Sequence, residues 1–93
     1  MIESIPQITT KYLEGKTLRE FADSLGINAK FQSIDQWKRG VHAPSFETLK
    51  EVADSMMATY DAKAWADECC FAYYGVHIYQ VEPTLDEEIE RRR

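Results

Sequence analysis

Each of four glycines, at positions 15, 26, 40 and 75, closes a run of apolar residues at helical spacing. This punctuation limits the chain to short helices. Matching start signals precede the runs. Ser4 stands before Pro6, Thr17 and Glu20 form a capping box, and Ser45 follows Pro44. The first run holds Ile5, Ile8, Tyr12 and Leu13, and the second Leu18, Phe21, Ala22 and Leu25. A third has Ile34, Trp37 and Val41 as its inward stripe and begins either at an Asn28 cap or nearer Phe31. The fourth would bury Phe46, Leu49, Val52, Ala53 and Met56. Thr59, Tyr60 and Asp61 interrupt the stripe. Asp61 is the expected cap of a fifth helix carrying Ala62, Trp65, Ala66, Cys69 and Tyr73. The expected fold is mainly α, with four to five helices.

Beyond Gly75 the pattern changes. Residues 76–82 (VHIYQVE) are rich in β-branched and aromatic side chains and predict a short C-terminal strand stopped by Pro83. Thr84 and Glu87 repeat the capping-box spacing ahead of DEEIERRR, a charged tail that reads equally as a weak helix or as disorder.

Ninety-three residues suit one small domain and leave little surface for an elaborate cleft. The longest stretch without a charged residue, 69–81, falls short of the roughly 20 apolar residues a membrane span needs. Glu3, Glu14 and Glu20 occupy the first 20 residues, where no apolar run of a secretory signal stands, so the expected compartment is the cytoplasm. Cys69 and Cys70 are adjacent and cannot staple distant parts of a fold; Cys69 reads as core and Cys70 as a bystander. With His42 and His77 they are too few and too irregularly spaced for a zinc site. No paired acid and base, phosphate loop or nucleophile motif is present, so neither an enzyme nor a cofactor is expected.

The net charge of −5 argues against nucleic acid only until it is divided. Residues 1–50 hold seven basic and six acidic groups, whereas residues 51–93 hold four basic and ten acidic ones. Basic residues gather between Lys30 and His42, and the acidic half would face away from a polyanion.

Two short helices joined at Gly26, followed by Gly40, Pro44 and Ser45, carry a resemblance. Leu18, Phe21, Ala22, Leu25 and Gly26, then Gln32, Ser33, Ile34, Asp35, Gln36 and Trp37, and then Gly40, Pro44, Ser45, Leu49, Val52 and Ala53 make the chain similar to the Cro/repressor (XRE-like) helix-turn-helix family over residues 5–58. Physical reasons stand beside it. Ala22 is small where two helices cross steeply, and Gly26 turns the chain at a helix end. With Ile34 and Trp37 inward, Gln32, Ser33, Gln36 and Arg39 occupy other faces and are of types that pair with base edges. The eight steps from Gly26 to Ile34 are two more than the family's spacing, so Ile27 to Lys30 form a longer turn or an extra half-turn of helix.

The resemblance implies a repressor-like domain that reads double-stranded DNA, as phage- and bacterial-type repressors do. It places Phe31, Gln32 and Gln36 toward bases, with Lys30 close by. Phe31 contacts a thymine methyl or belongs to the core. Thr17, Arg19, Lys38, Arg39 and His42 fall where the family meets phosphates. The division is then 1–60 for DNA binding, 61–83 for a helix plus strand as candidate dimerisation element, and 84–93 for the charged tail. In that element Trp65, Tyr73, Ile78 and Tyr79 would form a homodimer interface, or the segment folds back to complete the monomer core. The competing function is a protein-interaction module on the same scaffold, an antitoxin or anti-repressor using its acidic half. A helical bundle with an ordinary solvated polar face would show the same periodicity.

Overall fold

The computed structural model describes residues 4–79. Five helices follow one another: α1 (Ile5–Leu13), α2 (Leu18–Ser24), α3 (Phe31–Arg39), α4 (Phe46–Asp54) and α5 (Tyr60–Tyr74). Their starts follow local chemistry. The Ser4 amide donates to Gln7 Oε1 at 3.2 Å, and Glu20 N donates to Thr17 Oγ1 at 3.1 Å. Thr48 N donates to Ser45 Oγ, also at 3.1 Å. The cap of α5 is Thr59, whose hydroxyl accepts from Ala62 N at 3.1 Å, and not Asp61 as the sequence suggests. At the end of α3, Gly40 adopts φ +77° while Val41 N donates to Gln36 O and Gly40 N to Trp37 O. This Schellman closure carries Val41 off the helix into solvent, out of the stripe expected of it.

The layers are α5 against α4 and α1, and α3 against α1 and α2. Trp65, 0% exposed, sits at their meeting point. Its ring stacks on Trp37 (centroids 5.5 Å, planes at 25°) and meets Phe21 edge-on (5.3 Å, 89°). Its indole Nε1–H donates to Thr9 Oγ1 at 3.0 Å. Thr9 is the buried polar side chain of the described residues, and it satisfies the indole donor that burial would otherwise strand. Leu25, Ile34, Leu49, Val52 and Ala66 fill the space around this pair of indoles.

Gly26 joins the helices for a reason beyond its φ of +68°. A Cβ there would lie 2.3 Å from Ala58 N and 2.6 Å from Met57 C, so the α4–α5 loop passes directly over it. Ser55 Oγ donates to Gly26 O at 2.7 Å and Thr59 N to Ser24 O at 2.9 Å, fixing that approach. Ser55 is thereby pulled into extended backbone and ends α4 at Asp54. Met56, expected in the core, is consequently 96% exposed, and Phe46 at the other end of α4 is only half covered, by the edge of Tyr74. Cys70 is as buried as Cys69 and is no bystander, and burial pushes both thiols up from their ordinary range.

No strand occurs among the described residues. The expected strand begins at Val76, and its described part folds back along α5. Asp67 Oδ1 accepts from Ile78 N (2.7 Å) and Tyr79 N (3.1 Å), while its Oδ2 meets His77 Nδ1 at 2.8 Å. One carboxylate thus replaces a strand partner, and those two amides are not open for pairing across a dimer axis. Residues 80–82 of the expected strand, Pro83 and the 84–93 tail lie outside the described residues. Among the described residues no helix is long and apolar enough to cross a membrane.

Candidate nucleic-acid interface

The polar face of α3 is set by what holds its other side. Ile34 and Trp37, three residues apart, are buried against α1, α2 and the Trp65 indole. At 3.6 residues per turn the opposite stripe is Gln32, Gln36 and Arg39, all exposed. Asp35 lies at its edge, and its carboxylate holds Arg39 Nε at 3.2 Å, one turn further on. Asp35 was not among the expected contact residues, although its i,i+4 spacing to Arg39 is visible in the sequence. Ser33 is half-buried on the flank.

The turn before α3 is an extended connection with α3 beginning at Phe31, so the Asn28-capped alternative does not occur. Lys30 occupies the cap position without a side-chain hydrogen bond to the helix, leaving the positive end of α3 to solvent. Phe31, 41% exposed, lies beneath the Arg19 guanidinium of α2, 6.0 Å from ring centroid to Cζ. The long turn thus brings together the start of α2 and the start of α3: Arg19, Lys30, Phe31 and Gln32 line one hollow of about 260 Å³ with Ala22, Asp23 and Ala29.

The other expected phosphate residues divide. Lys38 points along the flank of α3 into a second hollow, of about 330 Å³, that also receives Lys11, Lys16 and Leu18. Lys16 is paired with Asp61 (3.7 Å) and Lys11 with Glu68 (3.0 Å). These two lysines thus stand beside Lys38 with their charges paired, and the signal for Lys16 is its place beside the Thr17 cap. Thr17 itself is exposed, and its hydroxyl is committed to the capping box. His42 is separated from the rest: it lines a cleft with Pro6, Ala43, Ala72 and Tyr73, between the start of α1 and the end of α5.

The residues expected at a dimer interface also separate. Trp65 has no surface to offer a partner, because it completes the core of a single chain. Tyr73 is exposed and meets Tyr74 edge-on, which in turn abuts Phe46. Ile78 and Tyr79 are half-buried over Asp67.

Tyr12, under α5, donates its hydroxyl to Glu68 at 3.1 Å; burial first, and the Glu68 carboxylate second, push its pKa up to about 12. Among the described residues no group of three His, Cys, Asp or Glu side chains stands together as a metal site. Comparison with protein-family models, with curated proteins and with solved structures finds no match to this chain.

Proposed function

We propose that the protein is a sequence-specific regulator that binds double-stranded DNA by laying α3 in the major groove, acting as a repressor. The observation that carries this reading is the single exposed stripe Gln32, Gln36 and Arg39 on a short helix clamped from behind by Ile34 and Trp37. An amide two hydrogen bonds wide suits adenine, a guanidinium suits guanine or phosphate, and a rigid backing lets small differences in fit become differences in affinity. Arg19, Lys30 and Lys38 flank the stripe and meet the sugar-phosphate edges. The acidic side chains Glu47, Glu51 and Asp54 stand on α4. In this reading the regulator is a homodimer, so two α3 helices address half-sites one helical turn apart.

Selection from a random duplex pool with the purified protein tests this directly. A recovered consensus with two-fold symmetry is the expected result, and its binding should fall with salt with a logarithmic slope of about −3 to −4 per protomer if four basic side chains displace counterions. Failure to bind any duplex at low salt rejects the reading.

One observation favours a second reading, a protein-interaction module. The groove between Gly26–Ile27 and α4, about 760 Å³, is lined by the apolar Ile27 and Phe46 and by Glu47, Glu51 and Asp54, with Lys50 and Ser55 among them. Protein capture without DNA binding would support that alternative.

A further inference from the structure

We propose that the hollow between α2 and the start of α3 seats the C5-methyl group of a pyrimidine, so that the protein distinguishes methyl-bearing pyrimidines from those without the methyl. The inference rests on the DNA-binding reading above and adds a specificity to it. The observation that motivates it is the place of Phe31: a large apolar ring, two-fifths exposed, at the first position of a helix whose outward stripe is otherwise amide and charge. The hollow beside it is small, about 260 Å³, and Phe31, Ala22 and Ala29 are its apolar lining residues. Ala29 belongs to the long turn from Ile27 to Lys30, in which its N donates to Ile27 O at 2.9 Å.

The other lining residues have the opposite character. Arg19 lies over the ring, Lys30 and Gln32 stand beside it, and Asp23 is the one acid. A small hollow that joins apolar and basic lining residues matches the edge of a pyrimidine in the major groove, where a methyl projects from C5 and phosphates run to either side. Thymine and 5-methylcytosine both present that methyl; uracil and cytosine present only hydrogen.

The test uses the intact protein and the duplex recovered by random-site selection. Each thymine is replaced singly by deoxyuridine, and each cytosine singly by 5-methyldeoxycytidine. Burying one methyl at ~0.8 kcal/mol corresponds to about a fourfold change in affinity. The expected result is one position per half-site at which deoxyuridine weakens binding about fourfold, if the natural ligand is thymine. If it is 5-methylcytosine, one position is expected at which 5-methyldeoxycytidine strengthens binding about fourfold. In Phe31→Ala that difference should vanish, while Phe31→Leu, which keeps an apolar wall, should retain it; Phe31 is exposed, so neither change removes core. A duplex bound tightly but indifferent to every such replacement overturns the methyl seat and leaves the DNA-binding reading standing. So does a methyl effect undiminished in Phe31→Ala. Absence of binding to any duplex overturns the DNA-binding reading, and the seat with it.

Discussion

Replacing Thr9 by Val should cost this protein about 1–2 kcal/mol although the number of heavy atoms is unchanged. Thr9 Oγ1 accepts the Trp65 indole N–H at 3.0 Å, and both residues are fully buried. Val has nearly the shape of Thr, so no cavity opens; what is lost is the acceptor. A buried donor left without a partner costs about 1–3 kcal/mol, partly offset because a methyl is easier to bury than a hydroxyl. For a domain of this size that is a melting shift of roughly 5–15 °C. Urea unfolding followed by circular dichroism measures it, with an unchanged slope expected because the exposed area is the same. Thr9→Ser, which keeps the acceptor and deletes one methyl, serves as the control. Trp65→Phe removes the donor, so the double variant Thr9→Val/Trp65→Phe should lose less than the two single costs together. Additive losses in the double variant, or a Thr9→Val protein within about 0.5 kcal/mol of the parent, would refute the reasoning. The consequence extends to the surface: Trp65 backs Trp37, Trp37 anchors α3, and DNA affinity should drop in step with the disturbed stack.

Asp35→Asn removes the carboxylate that holds Arg39 on the exposed stripe, so binding at low salt should tighten about 2–5-fold and depend more steeply on salt; weaker binding would show instead that the pair orients Arg39. Gln36→Ala should lower discrimination by about 1–3 kcal/mol at one base pair of the selected site, whereas a loss spread evenly over all sequences contradicts a base-reading role. Asp67→Ala strands the Ile78 and Tyr79 amides, whose hydrogen exchange should accelerate while that of α1 to α4 stays unchanged. The Tyr12 hydroxyl keeps its proton to about pH 12 in the folded chain and to about 10 when unfolded. Stability from this group is therefore complete below pH 10 and lost as pH rises from 10 toward 12; Tyr12→Phe should flatten that decline in alkaline melting curves.

The helices were legible because their signals are local. Thr17 with Glu20, and Ser45 before α4, are cap chemistry that acts within one turn, and Gly26, Gly40 and Gly75 close helices where the spacing predicts. The face of α3 was equally readable, since Ile34 and Trp37 define inside by periodicity alone. What the sequence could not convey was decided by contacts distant along the chain. Met56 continues the apolar stripe of α4, yet Ser55 reaching back 29 residues to Gly26 O ends the helix before it. The segment from Val76 has strand composition, but Asp67, a residue of α5, supplies the acceptors that a neighbouring strand would have supplied. Trp65 looks like interface material in a sequence because an aromatic in an apparent appendage has no visible partner; its partners are Thr9, Phe21 and Trp37, on three other helices. The hollow at Arg19 and Phe31 was half legible: the residues stood out, but their meeting across the long turn did not.

The stack of Trp37 on Trp65 means that α3 is not self-supporting. A fragment ending at residue 60 would keep every residue of the α2–turn–α3 unit and lose the indole against which α3 is braced. Transplanting that unit into another scaffold would therefore require a flat aromatic in the host at the corresponding depth. The smallest portable unit that keeps the exposed face of α3 in place is a discontinuous one, made of α1 to α3 and one face of α5.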